Sequence, residues 1–221
     1  MVFDLDDTLY KEVDFLKSAY TEIASTIIGK FCGIPEICGL SYNSLRDQML
    51  SWWRDGDNVF QRLIETYNLD LTIDKLLSMY RTHIPKISLD EATKDLLQRL
   101  SKTAVLGLIT DGRSITQHNK VTALGLDAFM DKDNILISGD TGYEKPSEIP
   151  FRHFMQRYPI NYYYVADNPS KDFVAPNRLG WTTIGLLDDG RNIHHQDFSL
   201  PQHMLPQHTI SQISEIEKLI I

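Results

Sequence analysis

The 221-residue sequence contains few cysteines, no long hydrophobic run and no basic leader. Cys32 and Cys38 match neither a zinc-binding nor a redox spacing, so we expect both to be reduced and partly buried. No apolar stretch approaches the roughly 20 residues that a membrane-spanning helix needs. No basic segment followed by an apolar one stands at the start, where a secretory signal would lie. We therefore expect a cytoplasmic protein with no membrane partner.

Positive charge is also scarce. The chain carries 22 Lys and Arg residues against 30 Asp and Glu residues, a formal net charge of −8. Nucleic-acid backbones require a basic surface, so we expect no nucleic-acid partner. A small phosphorylated molecule stays compatible with this charge, because a metal ion and a few local donors can outweigh the overall sign.

From residue 86 onward, strand and helix signals alternate, which is typical of a parallel sheet covered by helices. Ser88 to Glu91 has the pattern of a capping box and opens a helix through about Leu100. Ser114 with Gln117 caps a second helix, which ends near Leu124. Strands are predicted at 1–5, 104–109, 135–137, 162–166 and 181–186, and further helices at 149–158, 171–179 and from about Ser211. The sequence thus predicts an α/β fold, a Rossmann-like parallel sheet core with helices on both faces.

Residues 11–85 have helical periodicity and almost no strand signal. Apolar stripes such as Ala19-Ile23-Ile27 and Leu45-Met49-Trp52 predict several helices. The simplest account is a small all-helical cap domain at 11–85, inserted into a catalytic core made of residues 1–10 and 86–221. We expect Trp52 and Trp53 to belong to the core of this helical part.

The segment 188–208 has no clear periodicity and contains a His194-His195 pair. A histidine pair raises the possibility of a metal site, but no neighbouring carboxylate or thiol completes a ligand set. The sequence favours a solvated surface loop.

Two carboxylates stand where the first strand ends, in Asp4-Leu5-Asp6-Asp7-Thr8. Alternate residues of a strand face the same way, so Asp4 and Asp6 could share one side. Two such groups can divide the work of phosphate-ester cleavage, with one attacking phosphorus and the other transferring protons. An acidic turn that is merely solvated is the alternative interpretation of this motif alone.

The next strand ends in Thr110-Asp111-Gly112. The Thr110 hydroxyl can donate to a phosphate oxygen, and Asp111 and Gly112 can offer backbone N–H groups. Arg113 follows directly and is the best candidate for contacting the rest of a substrate. Lys145, held beside Pro146, would offset the charge of a nucleophile and of a transferring phosphoryl group.

A third strand is followed by Asp167, with Asp172 five residues further on. Asp167 is placed to bind a metal, and Asp172 could hold Lys145 or a metal-bound water. Two like charges about 4 Å apart repel by about 4 kcal/mol at an effective dielectric constant near 20. Several carboxylates in one pocket therefore indicate a divalent cation, and Mg²⁺ prefers such oxygen ligands.

Together these four motifs resemble those of the haloacid dehalogenase superfamily, in order and in spacing, across nearly the whole chain. The resemblance implies Asp4 as the nucleophile, Asp6 as the acid/base, and Thr110 and Lys145 as stabilisers of phosphate charge. It also implies Mg²⁺ held by the Asp4 side chain, the Asp6 backbone carbonyl and Asp167. The dehalogenases that name the superfamily lack an aspartate at the position of Asp6, so its presence favours phosphoester chemistry.

The sequence thus predicts a magnesium-dependent phosphatase that hydrolyses a small phosphorylated metabolite through an aspartyl-phosphate. A phosphomutase or phosphotransferase of the same superfamily is the close alternative, and a catalytically silent binding domain is the alternative from another class. We expect the helical part to choose the substrate. A monomer and a homodimer are both compatible with the sequence.

Overall fold

A parallel sheet organises one of the two compact units into which the chain divides. The computed structural model describes residues 1–159 and 161–220. One unit comprises Met1–Val13 together with the chain from Ser88 onward, and the other comprises Asp14–Ile87. The boundaries predicted from the sequence, after residues 10 and 85, lie two or three residues earlier in each case.

Six strands form the sheet, in the order β3-β2-β1-β4-β5-β6, and every neighbouring pair is parallel. The strands are β1 Val2–Phe3, β2 Gly107–Thr110, β3 Ile135–Ile137, β4 Tyr163–Ala166, β5 Thr182–Leu186 and β6 His208–Ile210. The parallel sheet with its connecting helices confirms the predicted α/β, Rossmann-like class.

The short strand β1 lies between β2 and β4, and its residues are fully surrounded. Val2 pairs with Gly107 on one side and Tyr164 on the other. Gly107 is required by close packing, because a Cβ atom there would lie 2.4 Å from the Phe154 ring. Strand β1 ends at Phe3, and the acidic residues begin directly after it.

Nine α-helices are found among the described residues. They are α1 Glu12–Phe31, α2 Tyr42–Arg54, α3 Val59–Tyr67, α4 Ile73–Thr82, α5 Glu91–Leu100, α6 Ser114–Ala123, α7 Ser138–Thr141, α8 Ile149–Arg157 and α9 Val174–Arg178. None of the helices within the described ranges is long and apolar enough to cross a membrane.

The unit Asp14–Ile87 has a hydrophobic core of its own, formed by α1 to α4. The predicted stripes supply much of it, with Ile23, Leu45 and Met49 buried. Trp52 is also buried and Trp53 packs against the same cluster, which confirms that the tryptophans belong to the core.

The prediction for the cysteines is wrong in one respect, since Cys32 and Cys38 are free but exposed.

Several predicted boundaries move because hydrogen bonds that sequence patterns do not specify decide them. Helix α5 is capped by Asp90, whose side chain accepts from the Thr93 N–H, so the capping box at Ser88 is wrong. Arg113, not Ser114, occupies the N-cap position of α6 and provides no side-chain cap.

The C-terminal part of the chain differs most from the prediction. The last predicted helix is a 3₁₀ segment at Ile213–Lys218, and the segment predicted as helix at 171–179 is helical only at Val174–Arg178. Strand β6 was missed, because three residues carry too little pattern and only pairing with β5 makes them a strand.

Candidate active site

The carboxyl ends of β2, β1 and β4 meet at one edge of the sheet, and the predicted motifs lie there. Thr110 ends β2, Asp4 follows β1, and Asp167 follows β4. They border a cavity of about 140 Å³. Its lining residues are Asp4, Asp6, Asp7, Glu12, Thr110, Asp111, Asp167, Asn168, Lys171 and His194. Ligands of open α/β sheets bind at this edge.

Lys145 is buried between two carboxylates. Its Nζ lies 2.6 Å from Asp4 Oδ1 and 2.6 Å from Asp172 Oδ1. The Tyr164 hydroxyl lies 3.2 Å from the same Nζ, and the Lys145 backbone N–H donates to Asp111 Oδ1. The long side chain is thus fixed at both ends, and its positive charge lies directly beside Asp4.

Asp4 and Asp167 carry more negative charge into this buried region than Lys145 alone balances. Burial raises the pKa of Asp4 to about 6, against the attraction of Lys145, and Asp172 raises it further. Burial, together with the charges of Asp4 and Asp172, raises the pKa of Asp167 to about 9. Burial and neighbouring negative charge therefore disfavour ionisation of both carboxyls.

This arrangement fits a divalent cation. Oxygen atoms of Asp4, Asp167 and Asp172 all lie within 4.8 Å of one another, and all three residues are buried. Hard oxygen donors are the ligands that Mg²⁺ prefers. A cation among them would offset both the burial and the repulsion that raise the two pKa values, so the donor set matches the predicted ion. Because Asp172 is already paired with Lys145, Asp4 and Asp167 are the better candidates for direct ligands.

Asp6 lies at the other side of the cavity and is held by three donors. Its Oδ1 accepts from Tyr10 at 2.5 Å and from Lys120 at 2.6 Å, and its Oδ2 accepts from Gln117 at 2.9 Å. Although burial opposes ionisation, Lys120 and these hydrogen bonds lower the pKa of Asp6 below its usual value. Its side chain is not part of the acidic cluster, which leaves it available for proton transfer.

The Thr110-Asp111-Gly112 turn is only partly as predicted. Thr110 and Asp111 line the cavity, but the Gly112 N–H donates to Ser138 Oγ at 3.0 Å instead of facing it. The expected role of the Gly112 N–H in phosphate binding is therefore not met. Gly112 has a φ of +149°, and a Cβ there would lie 2.9 Å from Gln117 Cγ, so the glycine makes room for that side chain.

Arg113 is exposed, and it is not among the residues that line the cavity. The cavity is lined instead by another cationic side chain, that of Lys171. Lys171 Nζ lies 3.2 Å from Asp111 Oδ2, and the side chain is 38% exposed at the mouth of the cavity. The sequence offered no signal for Lys171, because only the folded turn between β4 and α9 brings this lysine to the site.

The segment 188–208 was predicted to be a solvated loop, and its first part is instead anchored in the site. Asn192 Nδ2 donates to Asp167 Oδ2 at 3.0 Å, and Gln196 donates to the Asp167 carbonyl. The Ile193 N–H donates to Asp7 Oδ2 at 2.8 Å. His194 lines the cavity, whereas the acidic cluster that could hold a metal contains no histidine.

Asp7 is a further residue that the motif interpretation passed over. It is buried and adopts a positive φ of 57°, a conformation that aspartate tolerates better than most residues. Its Oδ1 accepts from the Glu12 N–H and its Oδ2 from the Ile193 N–H. It therefore joins the first acidic turn to α1 and to the anchored loop.

The site combines two carboxylates after β1 and an aspartate after β4 with a hydroxyl at the end of β2 and a buried lysine. This combination on a parallel sheet is that of a hydrolase of the haloacid dehalogenase type. The chain belongs to the haloacid dehalogenase-like hydrolase family, whose sequence model it matches over residues 1–186. The predicted superfamily is thereby confirmed.

Individual relatives agree with this assignment. The chain is 24% identical over 193 residues to a glyceraldehyde 3-phosphate phosphatase of Methanocaldococcus jannaschii, covering 85% of this chain and 84% of that protein. It is 27% identical over 225 residues to the protein of the same name in Methanothermobacter thermautotrophicus, covering 97% of both. Its fold is similar to that of the HAD-hydrolase YfnB of Bacillus subtilis bound to magnesium, with a TM-score of 0.63, 20% identity, and coverage of 99% of this chain and 96% of that one.

Proposed function

We propose that this enzyme is a magnesium-dependent phosphatase that hydrolyses a small phosphomonoester through a phosphorylated Asp4. The observation that carries the proposal is the buried Asp4–Lys145 pair beside Asp167, at the edge of a small polar cavity. The phosphatase part is supported by relatives of that name, whereas the ion and the covalent intermediate are argued from the site.

In the first step, an Asp4 carboxylate oxygen attacks phosphorus and forms an aspartyl-phosphate. The bond between phosphorus and the ester oxygen breaks, and that oxygen takes a proton from Asp6, whose pKa rises when the negative phosphate group is bound beside it. Lys145 stabilises the charge on the carboxylate and on the phosphoryl oxygens. The Thr110 hydroxyl donates to one of these oxygens.

In the second step, Asp6 takes a proton from a water molecule as the water oxygen bonds to phosphorus. The bond between phosphorus and Asp4 breaks, which releases inorganic phosphate and restores the Asp4 carboxylate. Asp6 is protonated again and ready for the next cycle, so both steps balance without any other reactant.

Magnesium would be held by Asp4, Asp167 and the Asp6 carbonyl, and when bound it supplies positive charge next to the phosphoryl oxygens. Asp172 stays paired with Lys145 and keeps that lysine in place. Asn192 donates a hydrogen bond to the Asp167 carboxylate and so fixes its orientation.

The substrate class follows from the size and polarity of the cavity. About 140 Å³ lined largely by carboxylates, a hydroxyl and Lys171 suits a phosphoryl group with a short polar remainder. Because two relatives are named for glyceraldehyde 3-phosphate, this triose phosphate is the first compound to assay, and a nucleoside monophosphate is a larger comparison.

The test is a phosphate-release assay on p-nitrophenyl phosphate and a panel of metabolite phosphates. We expect turnover with Mg²⁺, its loss in chelator, and no turnover by Asp4→Asn. Activity that survived both the chelator and Asp4→Asn would refute the proposal. Phosphate transferred to a second metabolite instead of released would identify a phosphotransferase, and failure of Asp4 to become phosphorylated by any compound would favour a binding domain.

A further inference from the structure

Two side chains of α6 that belong to none of the motifs converge on Asp6. Gln117 and Lys120 are three residues apart and therefore lie on one face of the helix. Both are only 2% exposed. Burying an amide and an ammonium group is unfavourable unless each finds partners. Here Gln117 reaches Asp6 Oδ2 at 2.9 Å and Lys120 reaches Oδ1 at 2.6 Å.

The orientation of the Gln117 amide is determined by its neighbours. Nε2 faces the Asp111 carbonyl oxygen, which can only accept hydrogen bonds, and Asp6 Oδ2, which can only accept them when Asp6 is ionised. The same Nε2 lies 2.7 Å from Thr110 Oγ1. Since the amide donates to that oxygen, the hydroxyl hydrogen of Thr110 is directed away from Gln117 and is available to a ligand in the cavity.

The hydrogen-bond donors around Asp6 also leave one acceptor position of its carboxylate open for the proton that it transfers. A carboxylate offers about four acceptor positions, two on each oxygen. Tyr10 and Lys120 occupy Oδ1, and Gln117 occupies one position on Oδ2. Among the described residues this leaves one position, on Oδ2, the oxygen that accepts from Gln117.

We infer that Gln117, supported by Lys120, is a positioning residue that aligns the proton-transferring carboxyl of Asp6 with the phosphate-binding hydroxyl of Thr110. The inference rests on the proposed function, because it needs Asp6 to protonate the leaving oxygen and to deprotonate water. Without Gln117, Asp6 Oδ2 and the Thr110 hydroxyl lose the donor that they share. Both proton transfers then lose their alignment, while Asp4 and Lys145 are unchanged.

The test compares two leaving groups in Gln117→Met, which keeps the length of the side chain and removes the amide. The ester oxygen of an alkyl phosphate must be protonated as it leaves, whereas nitrophenolate leaves without a proton. We expect kcat/KM to fall about 100-fold for the best alkyl phosphate of the panel and less than about tenfold for p-nitrophenyl phosphate. We also expect a burst of nitrophenolate, because the water-activating step is slowed.

Equal losses for the two substrates, or no loss for either, would overturn the inference. His118→Gln is the matched control, since His118 lies on the same helix, is exposed and pairs with Asp140; it should show neither change. If Gln117→Met does not fold, Gln117→Asn keeps the amide but withdraws it by one methylene, and the same leaving-group pattern is expected.

Wild type and Asp4→Asn are assayed in parallel to separate the two claims. If the wild type hydrolyses both substrates and Asp4→Asn hydrolyses neither, the proposed function stands and the Gln117 variants alone decide the inference. If the wild type hydrolyses no alkyl phosphate, or Asp4→Asn retains activity, the inference fails together with the proposed function.

Discussion

Lys145 Nζ and Asp4 Oδ1 lie 2.6 Å apart although 141 residues separate them along the chain. The lysine side chain is fully buried and the aspartate side chain is 8% exposed. Removing the cation would leave Asp4 and Asp172 as buried, uncompensated charges.

We therefore expect Lys145→Met to lower the free energy of unfolding by about 3 kcal/mol in chelator and kcat by at least about 100-fold. Urea denaturation and the phosphatase assay measure the two effects. Lys171→Met is the control, since Lys171 is partly exposed and its loss should change stability little. An unfolding free energy unchanged in Lys145→Met would show that the pair does not stabilise the fold.

The pH dependence of stability should report the burial of Asp167. Its pKa of about 9 exceeds the value of 3.8 expected in an unfolded chain, so the folded, metal-free protein holds a proton that the unfolded chain releases. The contribution of Asp167 to the free energy of unfolding is fully present below about pH 4 and is lost as the pH rises towards 9. Above pH 8 Asp167 dominates, because the pKa values of Asp4 and Glu12 are about 6 and about 7. Burial lowers the pKa of the Met1 amino group from 8.0 to about 6, so its opposing effect ends near pH 8.

In chelator, the free energy of unfolding should thus fall between pH 8 and 9 by up to about 1.4 kcal/mol per pH unit. Saturating Mg²⁺ should abolish this slope, and Asp167→Asn should remove it without the ion. Asp197→Asn, at an exposed acid, should leave it as in the wild type. A slope that persisted in Asp167→Asn would mean that another group holds the proton.

Asn192 should strengthen metal binding although it lies outside the part of the chain that matches the family. Its hydrogen bond fixes Asp167, and partners of this kind typically change metal affinity by about 10- to 100-fold. We expect Asn192→Leu to weaken Mg²⁺ binding to that extent in calorimetric titrations, and His195→Gln, on the same loop, to leave it unchanged. Equal affinity in the wild type and Asn192→Leu would refute this role.

Lys171 and Arg113 are alternative candidates for contacting the substrate. The sequence favoured Arg113, which predicts a higher KM for Arg113→Ala, whereas the cavity is lined by Lys171. We expect Lys171→Met to raise KM for the preferred phosphomonoester about tenfold, the loss of about 1.4 kcal/mol. Steady-state kinetics of both variants decide between them, and an unchanged KM in either one excludes that residue.

The sequence predicted the sheet, and the positions of the acidic groups at the ends of its strands, from local patterns. Strand β3 lies where its apolar run predicts, and Asp4, Thr110 and Asp167 each follow or end a strand. Parallel strands bring such positions together wherever the connecting helices lie.

What the sequence could not predict depends on long-range contacts. Gln117, Lys120 and Asn192 look like ordinary polar residues until α6 and the loop after β5 bring them to Asp6 and Asp167. The Gly112 N–H was expected to bind phosphate, but it donates to Ser138, which lies 26 residues away. Local sequence patterns do not reveal a partner at that distance.

The most direct test of the account is to look for phosphate on Asp4. The enzyme is mixed with Mg²⁺ and its best substrate, quenched in acid during turnover, digested, and analysed by mass spectrometry. The account predicts one added phosphoryl group on the peptide that contains Asp4, and none in Asp4→Asn. Turnover by the wild type with no phosphorylated peptide at any quench time, or with the phosphoryl group on another residue, would contradict it.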